Sequence, residues 1–415
     1  MSLVFDFSKW KKCTILDLLV QPITDGPHET PKLVEDGVPF LSVESIHDGI
    51  VDISKKRGNI SPEYDTQCCK KYKPQKDDIF VVKSASVGRV AMVGEDTNFN
   101  IWSPIAALRV NDNNDPRFVF HLLQTQWIQS EMKKRSSVGS QPNLSMRVLE
   151  SFEVIVPPLE EQKIIASILD TFTALTAELT AELTAELTAR KEQYEFYRDK
   201  LLSYDSLTPE ERERAGVILM SISEFCSISR GKGLKKKDFT SEGIGCIHYG
   251  QIYTTYNTFT TETISFVSKE CAASSKTVHP GDLIVAITSE NEEDVCKAIS
   301  WEGTTDIVTG GHTAILSHKQ NPRFISYLFQ TANFFEQKKK LVHGTKVIEM
   351  TPSDLGKIIV PIPPIETQDR IVHILDKMES LCFNLSNGIP AEIEARKKQY
   401  EYYRDKLLSF DKVSS

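Results

Sequence analysis

One stretch of this chain is written twice. Residues 190–205, RKEQYEFYRDKLLSYD, return as residues 396–411, RKKQYEYYRDKLLSFD, with 13 of 16 positions identical at an offset of 206. The same offset pairs Pro157-Pro158 with Pro363-Pro364, Gln162 with Gln368, Ile168-Leu169-Asp170 with Ile374-Leu375-Asp376, and Pro116-Arg117-Phe118 with Pro322-Arg323-Phe324. A register held without insertion over about ninety residues means one structural unit used twice. Upstream of Pro116 and Pro322 the halves share little. The chain therefore divides into a variable domain 1–156, a shared helix 157–205, a second variable domain 206–362 and a shared helical region 363–415.

Each shared segment starts at a Pro-Pro, where the first proline disfavours helix before it and the second suits a first turn. Ile164, Ile165, Ile168, Leu169, Phe172 and Leu175 then follow the i, i+3, i+4 spacing of an amphipathic helix. Ile371, Ile374, Leu375, Met378 and Leu381 do the same in the copy. Residues 176–187 are three TAEL units without Gly or Pro, so the first helix is expected to run unbroken from about Leu159 to Tyr204. In the copy, Asn387-Gly388-Ile389-Pro390 should break the helix before it resumes near Ala391. A long helix with one apolar stripe must bury it. The two helices are each other's obvious partners, through Ile165, Ile168, Leu169, Leu175, Leu179, Leu183, Leu187 and Tyr194 on one and Ile371, Ile374, Leu375 and Tyr400 on the other. A pseudo-twofold between the repeats would make them an antiparallel pair with the variable domains at opposite ends. The leucines recur every four residues, so their row drifts by about 40° per unit and the alanines must share the contact.

The variable segments hold short apolar runs between Gly, Pro, Asn and Asp: Val38 to Val43, Ile79 to Val82, Val90 to Val93, Ile105 to Val110, Leu283 to Ile287 and Thr313 to Leu316. These are strands, and with a helix after each Pro-Arg-Phe they make two mixed α/β domains of roughly 150 residues.

No Walker A, GxGxxG, HExxH, GxSxG or Asn/Asp-Pro-Pro-aromatic pattern is present, which favours a binding protein with no catalytic, cofactor or metal residues. The eight cysteines have no CxxC or paired spacing and read as reduced, mostly buried thiols. The net charge of −8 runs against a partner of phosphate, but its distribution matters: the segment 157–205 carries −5 and 363–411 carries −2. The domains are nearly neutral and hold basic clusters such as Lys55-Lys56-Arg57, Lys133-Lys134-Arg135 and Arg230 to Lys237. No basic-apolar leader begins the chain, and no apolar run approaches the ~20 residues that cross a bilayer, so a cytoplasmic protein is expected.

Polar and basic side chains able to read base edges or hold phosphate collect in the variable segments. In the first these are His28, Glu29, Thr30, Lys55, Arg57, Lys83, Ser84, Ser86, Arg89, Ser140, Gln141 and Asn143. In the second they are Lys235, Lys236, Tyr249, Gln251, Tyr253, Ser289, Glu290, Asn291, His312, Thr345 and Lys346. Ordinary turn chemistry accounts equally well for any one such loop.

The duplicated PPLEEQKIIASILD/PPIETQDRIVHILD and RKEQYEFYRDKLLSYD/RKKQYEYYRDKLLSFD segments, DGPHETP at Asp25, YGQIYTTY at Tyr249 and the central TAEL repeat make the whole chain resemble the specificity subunits of type I restriction-modification systems. That resemblance implies two target-recognition domains, each reading half of a split double-stranded DNA site. It also implies two methyltransferase subunits docked on the helices, with motor-nuclease subunits joining for cleavage. S-adenosylmethionine and ATP would sit on those partners, and the acidic helices would face protein. Each TAEL unit, about 6 Å of helix, would help to set the gap between half-sites. The competing reading is a coiled-coil adaptor with two protein-binding ends, which the acidic balance favours.

Overall fold

The structure, a computed structural model, describes residues 7–137, 142–383 and 388–408. The chain forms two compact units: Met1–Glu182 with Ile393–Ser415, and Leu183–Glu392.

In the first unit a six-stranded sheet runs in the order Thr24–Asp25, Ile105–Leu108, Ile79–Val82, Val90–Met92, Gly49–Val51, Ile46–His47. Its centre is apolar throughout, with every residue of Ile79–Val82 at 0% exposure, and the pairing of Gly49–Val51 with Val90–Met92 is parallel, Gly49 opposite Ala91, so the sheet is mixed. In the second unit the equivalent sheet runs Ser227–Arg230, Thr313–Ser317, Leu283–Ala286, Ala298–Trp301, Phe259–Thr260, and its last pairing is again parallel. The apolar runs expected to be strands are strands. Many two- and three-residue strands were not readable, because their pairing comes from distant chain and not from their own alternation.

The helices after Pro116 and Pro322 lie on these sheets, their starts capped by Asp115 and Asn321. At each domain's exit one buried carboxamide ties sheet, helix and Pro-Pro together. Gln162, 1% exposed, accepts from the Asp115 backbone N–H at 2.9 Å and donates to the Pro157 carbonyl at 2.8 Å and to Asn114 Oδ1 at 2.9 Å. Gln368, 0% exposed, accepts from the Asn321 N–H at 2.9 Å and donates to the Pro363 carbonyl at 2.8 Å and to Gln320 Oε1 at 2.7 Å.

The central helix spans Leu159–Leu201 without a break, and its copy is two helices, Ile365–Phe383 and Ile389–Leu408. Asn387 itself lies outside the described residues. The apolar stripe has a different partner from the expected one. Ile165 and Leu169 are buried in the first domain's own core, and Val372 and Leu375 in the second's, because a sheet-and-helix core offers more apolar area than a single helix stripe. Ile168 and Ile371 are half-buried, whereas Leu175 is 56% and Ile374 44% exposed. Leu179, Leu183 and Leu187 are half-buried along the TAEL run. One 18-residue window of Leu159–Leu201 has a mean hydropathy of 1.4, apolar enough for a membrane span and more apolar than the sequence reading allowed. Its average is high because Ile, Leu, Phe and Ala fill it with few charges between, and its first turns serve as a core helix of the domain.

Each domain is closed by the end of the other repeat's helix. In the first unit Tyr400 shares a hydrogen bond with Thr173 at 2.8 Å, Tyr403 stacks on Phe172 with ring centres 6.3 Å apart, Asp405 accepts from the Gln126 N–H at 3.1 Å, and Leu408 is buried in the domain core. In the second unit Tyr194 (2% exposed) and Leu202 join the core, and Asp199 accepts from the Ala332 N–H at 3.2 Å. Asp405 and Asp199, like Gln126 and Ala332, are offset by 206. Within each unit the paired helices run antiparallel: 172 and 173 meet 403 and 400, while Arg190 and Lys191 lie beside Cys382 and Tyr194 beside Glu379.

The joint of domain and helix carries different titratable groups in the two units. In the first unit Asp170 accepts from Arg117 Nη1 at 3.0 Å and lies 2.8 Å from His121 Nε2; burial pushes its carboxyl up, but His121 and Arg117 outweigh that and hold it down. In the second, Arg323 forks onto Glu302 and donates to Asp376 at 2.6 Å, and Tyr327 replaces the histidine. The Tyr327 hydroxyl lies 2.7 Å from Asp376 Oδ1 and 2.8 Å from Glu379 Oε2. It has one proton to give. That one hydroxyl therefore faces two carboxyl groups and cannot donate to both at once. Burial pushes Glu379 up and Asp376 adds to this, against Thr258, Tyr327 and Arg323. A carboxyl raised in the folded state gives stability that is full below its unfolded value, ~4.3, and is lost as pH rises through the folded value. Thermal melts from pH 4 to 8 are expected to show a component of destabilisation with rising pH that Glu379→Gln removes; identical pH slopes in the two proteins would rule out a raised Glu379 carboxyl.

Candidate nucleic-acid interface

The loop leaving the central strand meets the loop that precedes the short helix Met146–Glu150 or Pro352–Leu355, and it does so in both units. In the first, Ser84 bridges to Asn143, the Ala85 N–H donates to the Pro142 carbonyl at 3.1 Å, and Leu144 N–H donates to the Lys83 carbonyl at 2.7 Å. Ala85 takes a left-handed φ of 64° to make the turn. In the second, Thr288–Ser289 pairs with Ile348–Glu349. Asn143 and Glu349 are offset by 206, so one backbone joint carries different side chains in the two domains.

The end of the edge strand borders this joint. Asp25 sits across from Ala106, and Arg230 across from Ala314. Each is followed by a glycine with no room for a Cβ, which would stand 1.8 Å from the Ile101 carbonyl oxygen at Gly26 and 2.0 Å from that of Gly310 at Gly231.

Around the first joint, Asp25 is 1% exposed and draws in Lys71, Lys83 Nζ at 3.2 Å and His28 Nε2 at 3.2 Å. Lys83, proposed from sequence as a DNA contact, is thus buried and engaged. Glu29, Thr30, Lys55 and Asn143 are exposed, and Ser84 and Ser86 half-buried. The exposed Arg57 places its guanidinium 3.8 Å over the Trp102 ring, and Arg89 Nη1 donates to the Val43 carbonyl at 3.4 Å. Ser140 and Gln141 lie outside the described residues.

Around the second joint, His312 Nδ1 lies 3.2 Å from Thr288 Oγ1 and its ring centre 4.8 Å from that of Tyr249. Tyr253 donates to the Thr288 carbonyl at 2.7 Å, and burial pushes its phenol up. His248 beside them is pushed down by burial, with His312 and Lys236 adding to it, which suits Nδ1 accepting from Gly250 N–H at 3.2 Å. Glu290, Thr345, Lys346, Lys235 and Lys236 are exposed. Two amides chosen from sequence have structural work. Gln251 accepts from His248 N–H and donates to Ser265 Oγ at 2.7 Å, and Asn291 exchanges two hydrogen bonds with Asp294. Ser289 is 8% exposed. A polar residue in a turn satisfies its own backbone first, which sequence does not separate from ligand binding.

Sequence reasoning passed over Trp102, Thr288 and Glu349, took Asp25 only as part of a polar loop, and treated Lys71 and Arg230 only as members of basic runs. The available signal was a charge followed by glycine, Asp25-Gly26 and Arg230-Gly231, but at an offset of 205 and not 206, outside the repeat's register. The cysteines are free thiols, and burial pushes Cys226, Cys246 and Cys296 up to about 12.

Two α/β domains on shared helices, each presenting a variable loop joint, define a recognition protein. The family described as type I restriction modification DNA specificity domain matches residues 22–189 and again 216–395. The chain belongs to that family. It is 30% identical over 276 residues to a putative type I restriction enzyme specificity subunit of Haemophilus influenzae, covering 64% of this chain and 66% of that one. It is 29% identical over 293 residues to a type I restriction enzyme specificity subunit of Escherichia coli, covering 69% and 66%. The aligned region thus spans just under two thirds of those relatives. A chain from a structural study of type I restriction-modification assembly superposes with a TM-score of 0.71 at 16% identity, covering 99% of this chain and all 100% of that one. A specificity subunit from Thermoanaerobacter tengcongensis gives 0.55 at 17%, covering 97% of each. These two likenesses show the fold.

Gly26→Ala and Gly231→Ala should each destabilise by at least about 2 kcal/mol through backbone clash, read as a lower midpoint in urea unfolding; an unchanged midpoint would mean the strand ends do not pack so closely.

Proposed function

We propose that the chain is the non-catalytic DNA-specificity subunit of a type I restriction-modification complex, in which the domains 1–156 and 206–362 each read one half of a bipartite double-stranded site. The observation that carries this reading is the repeated joint: Ser84 against Asn143 and Thr288–Ser289 against Ile348–Glu349 put different side chains on one backbone geometry. A fixed frame with exchangeable polar residues is what reading base edges requires. Of the sequence candidates, the exposed Glu29, Thr30, Lys55, Arg57, Asn143, Lys235, Lys236, Glu290, His312, Thr345 and Lys346 are open to an approaching DNA.

The helical segments 157–205 and 363–415 set the gap and dock two methyltransferase subunits, and motor-nuclease subunits join for cleavage. The exposed Phe196, Tyr197, Tyr402 and Tyr403 at repeated positions, with Leu175 and Ile374, suit protein contact. Methyl transfer and ATP hydrolysis belong to those partners, with their S-adenosylmethionine and ATP. The site of action is the DNA-containing cytoplasm.

Sequencing of modified adenines in the host, with and without this gene, tests the reading. Loss of one bipartite motif on deletion supports it, and salt-insensitive or absent binding to duplex DNA by the assembled complex would count against it. Removing residues 180–183, one TAEL unit, takes out about 6 Å and 40° of helix; it should leave both half-sites unchanged and shorten the gap, and an altered half-site would refute the helix as spacer.

A further inference from the structure

At one position on one strand the two domains carry opposite charges, and only one of those charges is open to solvent. Asp25 is buried and surrounded by Lys71, Lys83 and His28. Arg230, its counterpart, has a side chain 49% exposed; Nε donates to the Gly311 carbonyl at 3.0 Å and Nη2 lies 2.6 Å from Glu349 Oε1, on a side chain itself 41% exposed. Both groups stand on fixed backbone. Arg230 closes a four-residue strand pairing, and Glu349 exchanges backbone hydrogen bonds with His343 at 2.9 and 2.8 Å while pairing with Thr288. An exposed ion pair adds little to stability, so the fold does not explain why these two rigidly mounted side chains meet at the variable joint.

We propose that Arg230 and Glu349 together read a single G·C base pair in the half-site of the second domain. The guanidinium donates to guanine O6 and N7, and the carboxylate accepts from the N4 amino group of the paired cytosine. O6 and N4 are themselves hydrogen-bonded about 2.9 Å apart, so the donor and acceptor that approach them must stand side by side, as these two do. In the free protein each satisfies the other. On DNA the base edges take over both roles, with His312 and the Thr288 hydroxyl beside them. The first domain, whose Asp25 is neutralised by lysines, has no such pair at this position. The inference rests on the reading that the joint meets the major groove.

The test is the methylation motif written by the complete complex containing wild type, Arg230→Ala, Glu349→Gln or Arg230→Lys. Both single substitutions that remove a reader should relax the same base pair of the same half-site, by roughly ten-fold or more. The other half-site and the gap should stay as they are, and Arg230→Lys, which keeps one donor toward guanine, should relax it less. Should Arg230→Ala fail to accumulate as folded protein, Glu349→Gln carries the same test, since it keeps size while replacing an acceptor-only carboxylate with a neutral amide that presents a donor as readily as an acceptor. An unchanged motif in folded variants, or relaxation at two different positions, overturns the pair as a reader while leaving the bipartite motif intact. A wild-type complex that writes no bipartite motif overturns the underlying reading and this inference with it.

Discussion

The buried carboxamide at the start of each long helix is the contact on which the architecture turns. A primary amide removed from water must place its donors and acceptor on partners or lose the desolvation cost of each. Gln162 and Gln368 satisfy theirs on the turn before the domain's last large helix and on the carbonyl of the first proline of the Pro-Pro. Those partners come from points about fifty residues apart, so the amide fixes where the long helix starts and which way it points relative to the sheet. With direction set, Ile165 and Leu169, or Val372 and Leu375, fall into the domain core, and the acid three turns on, Asp170 or Asp376, reaches the arginine after the proline.

From that geometry follows the exchange of helix ends. Each unit needs a second helix to cover its exposed flank, and the chain supplies it from the other repeat: Tyr400, Asp405 and Leu408 for the first, Tyr194, Asp199 and Leu202 for the second. The most strongly repeated segment in the sequence is therefore the one that leaves its own domain. Its near identity has a physical reason, since two different domains present the same receiving surface to it. The titratable joint shows how far that surface can drift: His121 and Thr173 in one unit stand where Tyr327 and Glu379 stand in the other, and there one tyrosine hydroxyl faces two carboxyl groups.

Much of this was legible in the chain. Proline pairs, apolar spacing and the constant 206-residue offset located the helices, the break in the second one and the strands with long apolar runs. The burial partner of the stripe was not, because periodicity shows that a face is apolar and not what covers it. The loops gave less. Gln251 and Asn291 looked like readers and cap or brace turns, while Asp25 proved to lie at the joint of the first unit and Arg230 and Glu349 at that of the second.

The sequence by itself determined the duplication, the helix lengths and the family, because those depend on local spacing and on a register that survives in the residues themselves. Only the tertiary structure decided that the helix ends close the opposite domains, that Lys83 is consumed by a buried carboxylate, and that Arg230 is left open beside Glu349. The reason is common to all three: whether a charge or an apolar face is free depends on what distant chain is packed against it, and that is a property of contacts between segments, which no single segment encodes.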